Sequence, residues 1–190
     1  MQKTILLTGA TDGIGLETAR MLVAEGHRVL LHGRNRQKLE NVEQALSEVT
    51  GDGQVESYVA DLSRMAQVEA LAKAVIEKHD KLDVLINNAG IFKTPEPVTA
   101  DGLDVRFAVN PGSLLGTKMV KEAFGAGQRD IRVGAEILVR AALSEEFEAA
   151  SGQYFDNDSG RFAAPHADAL DPRKSDAVVR AIETILSSNG

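Results

Sequence analysis

Three glycines near the start of the chain have the spacing of a phosphate-binding turn. Gly9, Gly13 and Gly15 follow a short aliphatic run and precede an amphipathic segment. Unpaired amide groups and the helix dipole attract anions to a helix N-terminus, and glycine lets the backbone approach phosphate oxygens closely. The stretch Thr8–Gly15 therefore predicts a strand, a tight turn and a helix start that together hold a pyrophosphate.

Polar residues follow two later aliphatic runs in the same way. Asp61 and Leu62 come directly after the third run, and Asn87–Gly90 follow the fourth. Open α/β sheets bind ligands at the carboxyl ends of their parallel strands, so we expect these turns to converge on one dinucleotide. The alternative is that the three turns only connect strands to helices.

The end of the second aliphatic run indicates which dinucleotide is preferred. NAD-binding folds often place an acid about twenty residues after the glycines, where it holds the ribose hydroxyls. Gly33 occupies that place here, and Arg34 and Arg36 follow. A guanidinium can bind a 2′-phosphate through two hydrogen bonds, and no carboxylate is present to repel it, which favours NADP over NAD. In the alternative interpretation, both arginines are solvated charges at the start of a helix.

The elements that must position these residues alternate between strand and helix. Apolar residues at helical spacing or in short continuous runs predict a parallel sheet with helices on both faces. The predicted fold is therefore a single doubly wound α/β domain of the Rossmann type over residues 1–190. The predicted strands cover 5–8, 28–32, 55–60, 82–86 and 153–155, and the predicted helices cover 14–25, 36–49, 64–78, 134–148 and 173–187, with a further helix beginning within 101–109.

The composition argues against several classes of partner. The chain has 190 residues and a net charge of −7, with 43% hydrophobic residues and no cysteine. A surface that binds nucleic acid or an anionic membrane needs clustered Lys and Arg, and the sequence has no such cluster. The four histidines show no metal-ligand spacing, and no apolar run reaches membrane-spanning length. We expect a cytoplasmic protein with no metal, no nucleic-acid partner and no membrane partner.

These motifs resemble those of the short-chain dehydrogenase/reductase family. Thr8–Gly15 resembles the family's glycine motif, Asp61 its adenine-contacting acid, Asn87–Gly90 its NNAG motif, and the Pro111-Gly112 pair its turn beside the nicotinamide. The resemblance implies NADP as the cofactor, with NAD possible. The residues it assigns to cofactor binding are Gly9, Thr11, Asp12, Gly13, Ile14, Gly15, Arg34, Asp61, Leu62, Asn88, Ala89, Gly90, Pro111 and Gly112.

Neither tyrosine of this chain is followed, four residues later, by the lysine that the family's catalytic pair requires. The family uses a Ser and a Tyr-x-x-x-Lys pair, in which the lysine charge lowers the pKa of the phenol. Leu62 stands four residues after Tyr58, and Asp158 stands four residues after Tyr154. Packing within strands is therefore the expected role of both tyrosines.

The junction at 110/111 accounts for this absence. In the family pattern, an Asn that matches Asn110 is followed by the elements that carry Ser, Tyr and Lys, and a later strand ends in an Asn-Pro-Gly turn. Here Asn110 is joined directly to Pro111. The resemblance thus implies an internal deletion at 110/111, and Asn110 is either the family's catalytic Asn or the Asn of that turn.

Two functions follow from these observations. The first is an NADP-dependent oxidoreductase acting on a small carbonyl or alcohol, with Asn110 as a catalytic residue and with the catalytic Ser, Tyr and Lys outside this sequence. The second is a catalytically silent dinucleotide-binding protein. The NNAG motif disfavours a third interpretation, in which the glycine turn holds another adenine-containing ligand. Association into a homo-oligomer is possible in either case.

Overall fold

The computed structural model describes residues 1–48, 53–90, 117 and 130–188. They fall into two compact units, Met1–Ala149 and Ala150–Gly190, each with its own secondary structure. The organisation of residues 1–190 as a single domain stays a prediction. Asn110, Pro111 and Gly112 lie outside the described residues, as do the junction between the first two of them and the helix expected to begin within 101–109.

Strands and helices alternate through the first unit as the sequence predicts. Each element predicted within residues 1–90 is present, and none of its ends is shifted by more than two residues. The described strands are β1 (Thr4–Leu7), β2 (Arg28–Gly33), β3 (Gln54–Val59) and β4 (Val84–Ile86), and the described helices are α1 (Gly13–Ala24), α2 (Arg36–Ser47), α3 (Met65–Lys78) and α4 (Ile131–Leu143), followed by a 3-10 helix at Glu145–Phe147.

The described strands of this unit form one parallel sheet in the order β3-β2-β1-β4. Side chains alternate between the two faces of the sheet because strand residues have a period of two. Ile5 and Leu7 of β1 pack in one buried cluster with residues of α1, α2 and α4. Leu6, between them, packs in a second cluster with Leu71 and Val75 of α3. Helices therefore cover both faces, which confirms the doubly wound α/β fold.

Local signals fix the ends of the helix that follows the glycine turn. Asp12 is the N-cap of α1, and its carboxylate accepts a hydrogen bond from the Gly13 amide at 2.7 Å. At the other end, Gly26 has a φ of +83°, and the amide of His27 donates to the Leu22 carbonyl at 3.1 Å. A glycine in the left-handed conformation followed by this hydrogen bond, from an amide to the carbonyl five residues earlier, is a Schellman motif, which ends the helix.

Helix α4 differs most from its prediction. The periodic pattern placed it at 134–148, whereas it runs over Ile131–Leu143. It begins early because the Asp130 carboxylate caps the Arg132 amide at 2.9 Å. It ends early because Ser144 is extended and its hydroxyl accepts from the Glu146 amide at 3.2 Å, which starts the 3-10 turn.

The second unit holds an antiparallel hairpin of β5 (Tyr154–Asp156) and β6 (Arg161–Ala163). The strand predicted at 153–155 is confirmed, but β6 was not predicted, because three residues are too few to show a strand period. The rings of Phe155 and Phe162 meet edge to face across the hairpin, with centroids 5.2 Å apart. The unit continues with a 3-10 helix (Ala167–Leu170) and α5 (Pro172–Ser188).

Candidate functional site

The carboxyl ends of β1 and β4 meet at the glycine turn. Gly9 has a φ of +68°, a left-handed conformation that other residues rarely adopt. A Cβ there would also lie 2.8 Å from Ala89 Cα in the turn after β4. A Cβ on Gly15 would overlap the Gly9 carbonyl oxygen and lie 2.5 Å from Asn88 Nδ2. Glycine is therefore required at both positions for the two turns to pack together.

Asn88 and Thr8 join these turns by a group of hydrogen bonds. Asn88 Nδ2 donates to the carbonyls of Thr8 at 2.9 Å and Gly9 at 3.2 Å. The Thr8 hydroxyl accepts from the amides of Asn88 at 2.9 Å and Ala89 at 3.0 Å, and donates to the Ile86 carbonyl at 3.3 Å. We call this group the Thr8–Asn88 clasp. It ties the glycine turn after β1 to the turn after β4.

The start of α1 leaves amide donors available for an anion. The Asp12 carboxylate accepts a hydrogen bond from the Gly13 amide, and the Asp12 carbonyl accepts one from the Leu16 amide at 3.3 Å. Within the described part of the chain, the amides of Ile14 and Gly15 have no acceptor. They lie at the positive end of the helix dipole, where phosphate groups are stabilised. The structure also places Thr117 beside this turn, because a Cβ on Gly13 would lie 3.3 Å from its Cγ2.

A buried histidine joins the glycine turn to the ends of β2 and β3. His32 is 3% exposed, and its Nδ1 lies 3.3 Å from the Gly9 amide nitrogen. Its Nε2 lies 3.0 Å from the Ala60 carbonyl oxygen. Burial lowers the pKa of the imidazole, and the hydrogen bond to Ala60 opposes that effect. Sequence reasoning missed this role, since a lone histidine within an apolar strand carries no motif.

Arg34 and Asp61 lie near each other at the ends of β2 and β3. Asp61 accepts hydrogen bonds from the Ser63 hydroxyl at 2.8 Å and the Ser63 amide at 3.0 Å. These bonds chiefly lower the pKa of the Asp61 carboxyl, and the Arg34 charge contributes further. Arg34 is exposed and immediately precedes Asn35, the residue that caps α2. A cation and an anion thus follow the ends of neighbouring strands β2 and β3.

Gly33 is buried and packs closely against two side chains. A Cβ there would lie 2.7 Å from Thr11 Cγ2 and 3.2 Å from Leu39 Cγ. In NAD-binding folds an acid often stands at this position. Here Thr11 of the glycine turn packs against it. This contact places Thr11 at the end of β2.

The structure describes the surroundings of both tyrosines. The Tyr58 hydroxyl is 3.1 Å from His79 Nε2, and burial raises the pKa of this phenol, as does Glu56. A phenol with a raised pKa is a poor proton donor or acceptor at neutral pH. Tyr154 lies in the hairpin of the second unit, where it is half exposed.

The predicted site residues thus have different places in the structure. The turns of Gly9, Gly15 and Asn88 pack together, and Thr11 reaches the end of β2. Leu62 and Gly90 are exposed at the ends of their turns. Within the described residues, no group of three or more His, Cys, Asp and Glu side chains is arranged to hold a metal ion. The same residues include no helix that is long and apolar enough to cross a membrane.

Comparison with known proteins places these features in a family. A family model described as short chain dehydrogenase matches residues 3–129. The chain is similar to "Short-chain dehydrogenase/reductase prx1" of Penicillium roqueforti, with 44% identity over 108 residues, 57% of this chain and 31% of that protein. It is also similar to human "Retinol dehydrogenase 13", with 30% identity over 147 residues, 77% of this chain and 44% of that protein.

The chain is also similar to a solved structure. A metagenomic short-chain oxidoreductase in complex with NADP superposes with a TM-score of 0.48 at 28% identity, over 78% of this chain and 57% of that chain. The matched regions span less than half the length of the two curated relatives.

Proposed function

This chain belongs to the short-chain dehydrogenase family, and we propose that it binds NADP at the carboxyl ends of β1–β4. The observation that carries the proposal is the packing of the glycine turn against the turn after β4. The amides of Ile14 and Gly15, at the helix start beside this packing, have no acceptor in the described chain. Donors at a helix start that is held rigidly above a parallel sheet suit a pyrophosphate.

The neighbouring side chains supply the rest of the cofactor site. In this proposal Asp61 contacts the adenine, as the family resemblance implies, and Arg34 binds the 2′-phosphate. The two groups are close enough for the Arg34 charge to help lower the pKa of Asp61. Gly33 favours the same cofactor, because it places no carboxylate at the position that would hold an unphosphorylated ribose. NAD is expected to bind more weakly at the same place.

We propose that the bound cofactor serves an oxidoreductase reaction on a small carbonyl or alcohol, in which its nicotinamide gives or accepts a hydride. In this proposal Asn110 is a catalytic residue, and the catalytic Ser, Tyr and Lys lie outside this sequence. The second candidate is a dinucleotide-binding protein without turnover. The absence of a lysine four residues after Tyr58 or Tyr154 favours it. A cytoplasmic location and a homo-oligomeric state stay predictions from the sequence.

Calorimetric titration tests the cofactor assignment. We expect the chain to bind NADP⁺ more tightly than NAD⁺, and Arg34→Ser to weaken NADP⁺ by about tenfold or more, the range expected for lost charge-assisted hydrogen bonds. NAD⁺ affinity should change little. Arg36→Ser is the matched control, since it removes the same charge two residues along the chain. Equal effects of the two substitutions on NADP⁺ would refute the role given to Arg34.

Turnover separates the two candidate functions. NADPH is incubated with a panel of generic aldehydes and ketones, and the loss of NADPH absorbance is followed with and without the chain. Turnover supports the oxidoreductase and excludes the silent binding protein. Binding of NADP⁺ without any turnover supports the binding protein, and failure to bind either dinucleotide refutes both.

A further inference from the structure

The hydrogen bonds of His32 determine where its proton lies. The Gly9 amide can only donate, so His32 Nδ1 accepts its hydrogen bond. The Ala60 carbonyl can only accept, so Nε2 carries the proton and donates to it. Both partners are therefore satisfied by one form of the side chain, the neutral imidazole with its proton on Nε2.

A second proton would disrupt this arrangement at the glycine turn. It would occupy Nδ1 and face the N–H of Gly9, so that two donors would point at each other. Gly9 is the residue whose carbonyl accepts from Asn88, at the turn that precedes α1. The backbone that leads to the Ile14 and Gly15 amides therefore begins at a residue that is bonded to both His32 and Asn88.

Among the described residues, the charged groups near His32 are already bonded elsewhere or carry the wrong charge to be its partner when it is protonated. Across the sheet it pairs in register with Tyr58, whose hydroxyl is bonded to His79. Asp61 follows Ala60 in the turn after β3, but it is bonded to Ser63. Among the charges at the start of the glycine turn and of α2, Asp12 caps α1, and Arg34 is a cation that would repel a charged imidazole.

We propose that His32 is a positioning residue that makes dinucleotide binding depend on pH. Its neutral imidazole holds the Gly9 amide and the Ala60 carbonyl in the arrangement that binds the cofactor, and a second proton releases the Gly9 amide. The inference rests on the proposed function, since it concerns the same site. Dinucleotide affinity therefore falls as the pH drops below the ordinary range of histidine titration, and burial of His32 moves this fall to more acidic pH.

The test compares the wild-type chain with His32→Asn by calorimetric titration of NADP⁺ at a series of pH values from 7.5 down to 4.5. The asparagine carbonyl oxygen stands in place of Nδ1 and accepts from Gly9, but it does not titrate in this range. We expect the wild type to lose about fivefold more affinity than the variant on acidification, the effect of one lost hydrogen bond. The 2′-phosphate of NADP⁺ titrates with a pKa near 6, and its contribution cancels because both proteins bind the same ligand.

The outcomes separate this inference from the function on which it rests. Parallel pH profiles for the two proteins would overturn the role of His32 alone. Absence of NADP⁺ binding by the wild type at pH 7.5 would overturn both the proposed function and this inference.

If His32→Asn fails to fold, judged by circular dichroism, an NMR titration of the wild type decides the matter. A Gly9 amide resonance that moves with the imidazole resonances of His32 supports the coupling. A Gly9 amide that stays unchanged through the His32 titration overturns it.

Discussion

Asn88→Asp is the substitution that tests the Thr8–Asn88 clasp most directly. The side chains have nearly the same shape, but the donor Nδ2 is replaced by an oxygen that faces the Thr8 and Gly9 carbonyls. At neutral pH the variant loses two hydrogen bonds, worth about 2 kcal/mol together, and leaves a half-buried charge without a donor, which adds about 1–3 kcal/mol. The total, about 3–5 kcal/mol, is a large part of the stability of an ordinary domain.

The pH dependence gives this prediction a characteristic sign. A protonated carboxyl can donate to the Thr8 carbonyl, whereas the ionised form cannot, so the folded state raises the pKa of the introduced group above its unfolded value. The destabilisation is therefore smallest near pH 4 and grows as the pH rises through the folded-state pKa. Asn88→Ala also loses the two hydrogen bonds but places no charge there, so its destabilisation should be smaller at pH 7 and depend little on pH.

Urea unfolding followed by far-ultraviolet circular dichroism measures these free energies at both pH values. Asn87→Asp is the matched control, because it introduces the same charge at the neighbouring, exposed position of the same motif. We expect it to cost less than about 1 kcal/mol, as surface substitutions usually do. Equal stabilities of the Asn87 and Asn88 variants at pH 7 would refute the clasp as a stabilising contact.

Two further perturbations test packing and charge at the ends of β2 and β3. Gly33→Ala places a Cβ 2.7 Å from Thr11 Cγ2 and should cost about 1–3 kcal/mol in urea unfolding; Thr11→Ser removes that methyl, and no recovery in the double variant would contradict the clash. Ser63→Ala removes the hydroxyl bond that chiefly lowers the pKa of Asp61, so NMR titration should show this pKa closer to its ordinary value. A carboxyl whose pKa is lowered by folding stabilises the folded state above its ordinary pKa, and this stability is lost on acidification. The variant should therefore lose less free energy of unfolding than the wild type when the pH is lowered. An unchanged Asp61 pKa would contradict the assignment.

Local patterns in the sequence were sufficient for the parallel half of the fold. Apolar periodicity and glycine stops predicted the elements of residues 1–90 within two residues, because side-chain spacing and backbone conformation act over a few neighbours. The same reasoning located the glycine turn and placed Arg34 at the end of β2. It failed at α4, where capping by Asp130 and Ser144 shifted both ends of the helix against the apolar pattern. It also missed β6, whose three residues are stabilised by the facing strand.

The sequence by itself determined which residues lie at the carboxyl ends of the strands, since that depends on their order along the chain. Only the tertiary structure decided how they are held. The clasp joins Thr8 to Asn88, which is 80 residues away. His32 bonds to Gly9, which lies 23 residues before it, and to Ala60, which lies 28 residues after it. No spacing rule connects such positions, because hydrogen bonds between distant residues form only when the sheet brings its strands side by side. In the sequence, nothing distinguishes His32 from the other three histidines. In the fold, His32 is buried and hydrogen-bonds to the backbone of two turns, as acceptor from Gly9 and donor to Ala60.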